Sequence, residues 1–312
     1  MDEFALIRTY FSALTTVKQG VVLGVGDDAA LLRVPNGEEL AVTTDTLVAG
    51  RHFTEDTPPE DIGWKSLAVN LSDLAAMGAK PRWFTLALTL RLADPSWLDG
   101  FARGLRALAQ ETGVALVGGD TTQGPLSITI TAMGTLPKGS ALKRSGAKVG
   151  DLVCVTGTLG DAALALRMRN DEDLPPLLKH RLDRPMPRND VGLALRGRAH
   201  AVIDLSDGLA GDLQHILDAS KVGAEIRADQ LPATEEFRAL APVEQKLGLQ
   251  AGGGDDYELC TCIAPREFES IKSELGVPLT AIGKITKKKG LRFVDASGKT
   301  LQQDFQAYRH FQ

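Results

Sequence analysis

The feature that most constrains this chain is an alternation of strand and helix patterns that runs through its first half, stops, and then starts again. Apolar residues alternate over residues 84–90, as in a strand with one buried face, and recur at helical spacing over residues 98–108. Residues 137–151 are rich in Gly, Lys, Pro and Ser, and a new apolar strand pattern begins directly afterwards. We therefore predict an α/β (α+β) fold with two domains, residues 1–137 and 138–312.

Local patterns predict individual elements within these domains. Residues 31–34 and 40–44 flank an Asn-Gly pair that suits a tight reversal, so we predict a β-hairpin there. A start resembling a capping box and a glycine stop predict a helix over residues 58–77. The polar, proline-containing stretch 170–187 predicts an exposed connection.

Composition and charge exclude several classes of partner. The chain has 40 acidic and 35 basic residues and a net charge of −5, so no broad positive surface is available for a nucleic acid backbone. No stretch has the ~20 consecutive apolar residues of a membrane helix, and the acidic start at Asp2 is unlike a secretory signal. The three cysteines are too few for a disulfide framework. We expect a soluble, cytoplasmic protein with no nucleic acid or membrane partner.

Aspartates recur at the ends of predicted strands, usually beside glycine or threonine. Glycine lets the backbone approach a ligand closely, and the end of a strand holds a side chain rigidly at the edge of a sheet. One such aspartate usually completes a turn or caps a helix, but the repetition favours a shared site. The aspartates of this kind are Asp27, Asp28, Asp45, Asp120, Asp204, Asp207, Asp255 and Asp256.

Asp73 is selected by a different pattern. Within the predicted helix 58–77, Ser66, Asn70 and Asp73 fall on one stripe bordered by leucines. A solvent-facing stripe would explain this spacing, but solvent faces usually carry Lys and Glu rather than short hydrogen-bonding side chains. We therefore interpret the stripe as facing a metal site.

Convergence of these carboxylates would require cations. Two carboxylates ~5 Å apart repel by roughly 3 kcal/mol at an effective dielectric constant of about 20. The candidate ligands are hard oxygens without a Cys/His cluster, which favours Mg²⁺ or Mn²⁺ over zinc or copper. Because Mg²⁺ typically joins one or two carboxylates to substrate phosphates, we predict a polyphosphate ligand, of which ATP is the commonest.

Other nucleotide-binding motifs do not explain the pattern. The chain has neither a Gly-x-x-x-x-Gly-Lys-Ser/Thr loop nor the set of protein-kinase motifs. Residues 24–29 are similar to the start of a dinucleotide fingerprint, but a predicted hairpin rather than a helix follows them. His52 on its own would be interpreted as a surface or capping residue, so the residues alone leave its role open.

Seven segments, taken in order, resemble the thiamine-monophosphate kinase family. They are residues 24–32, 43–53, 70–81, 118–122, 144–151, 204–212 and 252–259. Each segment is weak evidence alone, whereas the whole set in the proper order, over nearly the full chain, is specific. The wider superfamily includes aminoimidazole ribonucleotide synthetase, and its members use ATP.

The resemblance implies a fold, an activity and partners. It implies a two-domain aminoimidazole ribonucleotide synthetase-like fold. The N-terminal domain would bind metal and ATP and dimerise through its sheet, and the C-terminal domain would close over nucleotide and substrate. The implied reaction transfers the γ-phosphate of ATP to thiamine monophosphate with the help of several Mg²⁺ ions. Because the acceptor phosphate is largely dianionic near neutral pH, we expect direct in-line transfer without a general base or a phosphoenzyme.

The resemblance also implies roles for individual residues. The Mg²⁺ ligands would be Asp28, Thr43, Thr44, Asp45, Asp73, Asp120, Asp204 and Asp207. Contacts to ATP would come from Gly119, Asp120, Arg144 and Ser206, and contacts to thiamine monophosphate from His52, Glu258 and Tyr308. Asp45, Asp120 and Arg144 are the expected catalytic residues. Two positions depart from the family pattern: Asp255 stands where Glu is usual, and Ala307 precedes Tyr308 where Gly is common.

Two alternatives stay open at this point. One is another ATP-using synthetase of the superfamily, acting on a different acceptor. The reactive N-terminal cysteine of selenophosphate synthetase and the C-terminal cysteine of the hydrogenase-maturation protein have no counterparts here, while the residues around His52 and Glu258 favour the kinase over the ribonucleotide synthetase. The other alternative is a non-catalytic nucleotide-binding regulator that retains the fold.

Overall fold

The computed structural model describes residues 6–11, 14, 20–302 and 305. The chain divides into two compact units. Unit 1 comprises Met1–Leu74 and Ala79–Gly139, and unit 2 comprises Ala75–Gly78 and Ser140–Gln312. Both units combine strands with helices, which confirms the mixed α/β character predicted from the sequence.

Unit 1 is built on four long strands and two long helices. Its main strands are β3 (Glu38–Val48), β4 (Lys80–Leu90), β5 (Ala115–Gln123) and β6 (Ser127–Pro137). They form one sheet in the order β3-β6-β4-β5, in which only the β4–β5 pair is parallel. The helices are α1 (Pro59–Ala76) and α2 (Pro95–Thr112). A π-helical turn (Ile7–Phe11) and a separate pair of short strands, β1 (Val21–Leu23) and β2 (Leu31–Leu32), precede the sheet.

The two helices of unit 1 pack closely on each other. At Gly104 of α2, a Cβ atom would lie 1.7 Å from the carbonyl oxygen of Glu60 in α1, so only glycine permits this approach. On the other side of α1, Leu74 lies beside Gly134 of β6. The predicted helix 58–77 is confirmed, because its leucines face the core at helical spacing and are buried.

The sheet of unit 1 has a helix-covered face and an opposite face that is open along β3, while its other end, at Trp83 and Ala115, is covered by the β1–β2 segment. One row of successive partners across the strands is Asp45, Ile130, Leu86 and Gly119. The next row is Thr46, Thr129, Ala87 and Asp120. Ile130 and Leu86 are buried, whereas Asp120 is exposed. Because paired residues on neighbouring strands point to the same side, the first row lies on the helix-covered face and the second on the open face.

The predicted hairpin over residues 31–44 is wrong. The turn forms, with the Glu38 amide donating to the Pro35 carbonyl oxygen at 3.2 Å, but the strands beside it do not pair with each other. β2 pairs with β1, and β3 pairs along its whole length with β6. The local turn signal was correct, but a ladder of eleven paired residues with β6 determines where β3 lies.

Unit 2 contains a six-stranded sheet. Its strands are β7 (Leu152–Thr156), β8 (Ala199–Asp204), β9 (Gly223–Arg227), β10 (Leu259–Ile263), β11 (Leu279–Thr286) and β12 (Gly290–Val294). Their order is β12-β9-β11-β7-β10-β8, and only the β9–β12 pair is parallel. The helices are α3 (Asp161–Arg167), α4 (Pro176–Asp183), α5 (Asn189–Leu195), α6 (Leu209–Ser220), α7 (Glu235–Leu240), α8 (Lys246–Gly252) and α9 (Pro265–Glu274), with a short 3₁₀ turn at Ala228–Gln230.

The stretch 170–187 is only partly the exposed connection predicted from its prolines. It contains helix α4, in which Leu178 and Leu182 are buried against α3 and its neighbours. A proline at the first helical position is compatible with a helix, so the composition of this stretch was a poor guide.

Neither the cysteines nor the helices contradict the expectations drawn from composition. Cys154, Cys260 and Cys262 are free and buried in the β7–β10 region. Across the described part of the chain, no helix combines the length and the apolarity needed to cross a bilayer.

Candidate active site

The structure gathers one group of predicted site residues where β3 meets α1. The Thr43 hydroxyl donates a hydrogen bond to the Asp73 carboxylate. The Asp45 amide donates to the side-chain oxygen of Asn70 at 3.1 Å. Asn70 is fully buried and also donates to the Ser66 carbonyl oxygen, so its amide joins the helix to the strand. Asp45, Asp73 and Thr43 thus form a small set of hard oxygen atoms, which we call the β3–α1 acidic group.

The electrostatics of the β3–α1 acidic group are unfavourable without a cation. Burial and, to a smaller extent, the negative charge of Asp73 together raise the pKa of Asp45 to about 6. Two close carboxylates and a hydroxyl are the donor types that Mg²⁺ prefers, so these residues fit such an ion. Among the described residues, however, no cluster of three or more Asp, Glu, His or Cys side chains is assembled to hold a metal.

The polar side chains of the stripe on α1 have two different roles. Ser66 donates to the Ile62 carbonyl oxygen of its own helix, and Asn70 joins α1 to β3. Only Asp73 presents a charged oxygen to the β3–α1 acidic group. The interpretation of the whole stripe as facing a metal was therefore too broad, because buried polar side chains in a helix also serve the backbone.

Thr44 and Asp120 are placed away from the β3–α1 acidic group. The Thr44 hydroxyl shares a 2.9 Å hydrogen bond with that of Thr131 on the open face, whereas its neighbours Thr43 and Asp45 point to the helix-covered face. Asp120 is on the open face of β5, three strands from β3. Both Asp45 and Asp120 lie within strands rather than beyond their ends, because the ladders continue through the polar residues around them.

The remaining predicted residues of unit 1 lie in loops or at close strand contacts. Asp28 is exposed, and its amide donates to the Asp27 carboxylate at 2.9 Å. His52 accepts a hydrogen bond from the Val48 amide through Nδ1 at 3.0 Å, in the turn that ends β3. At Gly119, a Cβ atom would lie 1.9 Å from the Leu86 carbonyl oxygen, so the packing of β5 on β4 requires glycine here. A glycine also lets a ligand approach the backbone closely.

In unit 2, a turn after β8 presents Ser206 and Asp207. Asp204, the last residue of β8, is buried, whereas Ser206 and Asp207 are partly exposed. The glycine-rich segment 252–257 packs against this turn, and the Asp255 amide donates to the Ser206 carbonyl oxygen at 2.9 Å. Asp255 has φ = 67°, a conformation that aspartate tolerates better than most residues.

Sequence reasoning did not assign a role to Asp212 in the first turn of α6. Its carboxylate accepts a hydrogen bond from the Asp207 amide at 3.0 Å. The pKa of Asp212 is raised to about 7, mainly by burial and also by the charge of Asp207, although hydrogen bonds from the backbone amides of Asp207 and Ser206 and the charge of Arg144 act in the opposite direction. An acid in the first turn of a helix was the available signal.

Glu258 is fully buried and lies within an ionic network. Its carboxylate accepts hydrogen bonds from the Thr156 hydroxyl at 2.6 Å and from Arg188, with 2.6 Å between Arg188 Nε and Glu258 Oε2. Arg181 lies 3.4 Å from its other oxygen and 3.7 Å from Asp161. The two arginines, which the sequence analysis did not single out, separate Glu258 from solvent. Tyr308 lies outside the described residues.

Comparison with known proteins accounts for both units. The family described as AIR synthase related protein matches with its N-terminal domain over residues 26–136 and with its C-terminal domain over residues 148–296. Thiamine-monophosphate kinase of Salmonella typhimurium is 46% identical over 320 residues, which cover 99% of this chain and 98% of the relative. The corresponding Bacillus subtilis protein is 37% identical, with both chains fully covered.

Solved structures give the same result. The crystal structure of thiamine-monophosphate kinase from Stenotrophomonas maltophilia matches with a TM-score of 0.89 at 46% identity, covering 96% of this chain and 98% of that one. The structure of AaThiL complexed with AMPPCP and TMP matches with a TM-score of 0.79 at 28% identity, covering 99% and 97%. The resemblance and the two-domain fold inferred from the sequence are confirmed, and the chain belongs to the thiamine-monophosphate kinases of the AIR synthase related family.

Proposed function

We propose that this protein transfers the γ-phosphate of ATP to thiamine monophosphate, yielding thiamine diphosphate and ADP. The observation that carries this proposal is the match of the whole chain to AaThiL in complex with AMPPCP and TMP. The identity of 46% with a thiamine-monophosphate kinase over 99% of this chain supports the same acceptor. A different synthetase of the superfamily is disfavoured, because a solved hydrogenase-maturation protein shares only the fold, at 23% identity.

Metal binding is proposed for two groups of residues. In unit 1, Thr43, Asp45 and Asp73 supply adjacent hard oxygens, and Asp28 and Asp120 supply exposed carboxylates. In unit 2, Asp204 and Asp207 flank Ser206. We propose Thr44 as a ligand only through its carbonyl oxygen, because its side chain points to the open face. When bound, Mg²⁺ would offset the repulsion between the two negatively charged substrates.

Phosphate transfer then depends mainly on positioning. Gly119 and Asp120 in unit 1, and Arg144 and Ser206 in unit 2, are the residues we propose to contact ATP. Arg144 is exposed and carries a permanent positive charge, so it suits an interaction with phosphate oxygens. The acceptor phosphate is already an anion, so we propose that no side chain acts as a general base. Labelling with [γ-³²P]ATP should leave the protein itself unphosphorylated during turnover.

For thiamine monophosphate, we propose His52, Tyr308 and an indirect role for Glu258. Glu258 is fully buried, and its oxygens accept hydrogen bonds from Arg188, Arg181 and Thr156. Its contribution would therefore be to orient the arginines. His52 is partly exposed and has Nδ1 engaged by the Val48 amide, which leaves its ring in a fixed orientation.

We also propose that the protein is a homodimer formed through the open face of unit 1. This face exposes apolar side chains of β3 beside a row of threonines, and a contiguous exposed surface of this kind is typical of an interface. The exposed apolar residues of β3 are Leu40, Val42 and Val48. We further propose a cytoplasmic location, which the three buried, unpaired cysteine thiols support.

One assay tests the activity directly. Incubation of the protein with Mg²⁺, ATP and thiamine monophosphate should release ADP and thiamine diphosphate in equal amounts. Asp45→Asn and Asp120→Asn should each reduce kcat by about 10³-fold or more, because each removes charge that organises the transferred phosphate. Asp99→Asn, at an exposed position of α2, is the matched control and should retain the wild-type rate. Binding of ATP without any turnover would instead favour the non-catalytic regulator.

A further inference from the structure

Helix α6 holds two neighbouring loops of unit 2 by a side chain at each of its ends. Asp212 lies in its first turn and contacts the turn that carries Ser206 and Asp207. Ser220 is its last residue and contacts the loop that carries Arg144. Eight residues of helix separate the two side chains by roughly 12 Å along the axis, so the helix fixes the spacing of the loops.

The Ser220 hydroxyl uses its full hydrogen-bonding capacity on the Arg144 loop. Its oxygen accepts hydrogen bonds from the amides of Gly146 and Ala147, each at 3.1 Å. It donates to the carbonyl oxygen of Arg144 at 3.2 Å. A hydroxyl offers one donor and two acceptor sites, and here all of them engage backbone groups of three residues of the same loop.

The opposite side of this loop is equally constrained. Gly146 has φ = 120°, and a Cβ atom there would lie 2.5 Å from the His200 carbonyl oxygen. The Lys148 amide donates to the Asp151 carboxylate at 2.7 Å, and His200 Nδ1 lies 2.9 Å from the same carboxylate. The loop therefore passes between Ser220, which it contacts by hydrogen bonds, and the backbone of His200, which approaches Gly146 closely.

Asp212 adds an electrostatic connection between the loops. It is 4% exposed, accepts a hydrogen bond from the Asp207 amide, and lies close enough to Arg144 for their charges to interact. The described contacts thus link Arg144 to α6 twice, through its backbone at Ser220 and through its charge at Asp212.

We infer that Ser220 is a positioning residue for ATP, which holds the Arg144 backbone so that the guanidinium group meets the phosphates. This inference rests on the proposed kinase function, in which Arg144 contacts ATP. Ser220 itself touches neither substrate. Its removal should therefore weaken the use of ATP and leave thiamine monophosphate binding unaffected.

Replacement of Ser220 gives the first test. Ser220→Ala should raise the KM for ATP about tenfold, the effect expected from losing one or two net hydrogen bonds, and should change kcat by less than about twofold. The KM for thiamine monophosphate should stay at the wild-type value. Ser220→Thr keeps the hydroxyl and should restore the KM for ATP to within about threefold of wild type. Equal rises in both KM values would overturn the inference.

A matched control and a double substitution separate positioning from general stability. Ser273 also lies in the last turn of a helix, but its hydroxyl donates to the Ser270 carbonyl oxygen of the same helix, so Ser273→Ala should leave both KM values unchanged. In an Arg144→Ala background, Ser220→Ala should have no additional effect on the KM for ATP, because it acts through Arg144. An additive rise would contradict the inference. If the wild-type protein forms no thiamine diphosphate, the proposed function is wrong. If the wild-type protein is active and Ser220→Ala has the wild-type KM for ATP, only the inference about Ser220 is wrong.

Discussion

Asp45 and Asp120 lie on opposite faces of the unit 1 sheet, with β6 and β4 between their strands. At a strand spacing of about 4.8 Å, three steps across the sheet separate their backbones by roughly 14 Å. An Mg²⁺ ion binds its ligands at about 2.1 Å, so one ion cannot hold both carboxylates of the same chain. A shared metal cluster would need the Asp120 of a second copy.

Mixing two inactive variants tests whether sites are shared between copies. Asp45→Asn and Asp120→Asn are each expected to be inactive alone. After subunits are exchanged by dilution and reassociation, mixed dimers would contain one intact pair and should restore about a quarter of the wild-type rate. Activity is measured as thiamine diphosphate formed per subunit.

The same exchange with Asp45→Asn and Asp73→Asn provides the control. These two residues belong to the β3–α1 acidic group of one chain, so mixing should restore no more than a trace of activity. If the mixture of Asp45→Asn and Asp120→Asn also recovers no activity, the two aspartates serve separate positions within one chain.

Neighbouring threonines on β3 should respond differently to loss of their hydroxyl groups. Thr43→Val removes the donor to Asp73 and a hard oxygen from the β3–α1 acidic group, so the Mg²⁺ concentration for half-maximal activity should rise about tenfold. Thr44→Val keeps the carbonyl oxygen and changes only the open face, so the Mg²⁺ dependence should shift by less than about twofold.

Thr46→Val is the control for loss of a hydroxyl bond on the open face, because Thr46 pairs with Thr129 at 2.8 Å. It should behave like Thr44→Val. A strong Mg²⁺ effect in Thr44→Val alone would show that its side chain is a ligand, and would contradict the placement described above.

Asp45 should reduce the stability of the metal-free protein at neutral pH. The folded-state pKa is raised from 3.8 to about 6, so the folded protein binds this proton more tightly than the unfolded chain. The associated stability is present at low pH and is lost as the pH rises towards and beyond 6. Asp45→Asn should therefore increase the free energy of unfolding by about 2 kcal/mol at about pH 7.5 in the presence of a chelator.

The gain should nearly disappear at about pH 4, where the wild-type carboxyl group is protonated in the folded protein. Urea unfolding at both pH values measures the difference, with Asp99→Asn as the control at an exposed site. A loss of stability in metal-free Asp45→Asn would contradict an electrostatic cost at this position. We expect Asp45→Asn to be more stable and inactive, a combination that is typical when a functional residue is replaced.

The network around Glu258 should be important for the stability of unit 2. Glu258→Gln leaves the Arg188 guanidinium, whose side chain is only 11% exposed, without its carboxylate partner. Removal of one member of a buried ion pair costs about 3 kcal/mol or more, and urea unfolding should detect a loss of this size.

Glu274→Gln is the matched control, because Glu274 also pairs with an arginine, Arg198, at 2.6 Å but lies at the surface. An exposed pair contributes less than about 1 kcal/mol, so this variant should unfold almost as the wild type does. Similar losses in the two variants would mean that burial does not determine the strength of the Glu258 network.

Periodicity predicted the long helices better than it predicted strand pairing. The helix 58–77 was found at Pro59–Ala76, because its apolar spacing and its terminal signals are both local. The hairpin around residues 31–44 failed because the partner of β3 lies about ninety residues later in the chain, at β6. A local turn signal carries no information about that distant pairing.

The candidate site shows a similar division. The sequence selected Asp45 and Asp73, and the structure places both beside Thr43. Strand alternation would have predicted which face of the sheet Thr44 and Asp120 lie on if the predicted strands had been extended through the polar residues of β3 and β5. Asp212 and Ser220 could not be found in this way, because their role depends on which loop lies beside each end of α6.

The interior position of Cys154, Cys260 and Cys262 makes this chain a convenient background for site-specific labelling. All three are fully buried, and burial raises their pKa values, so little thiolate is available to react with a maleimide. A cysteine introduced on an exposed strand should therefore take up a fluorophore or spin label without prior removal of the native thiols. Distances between such reporters would then follow the molecule during turnover.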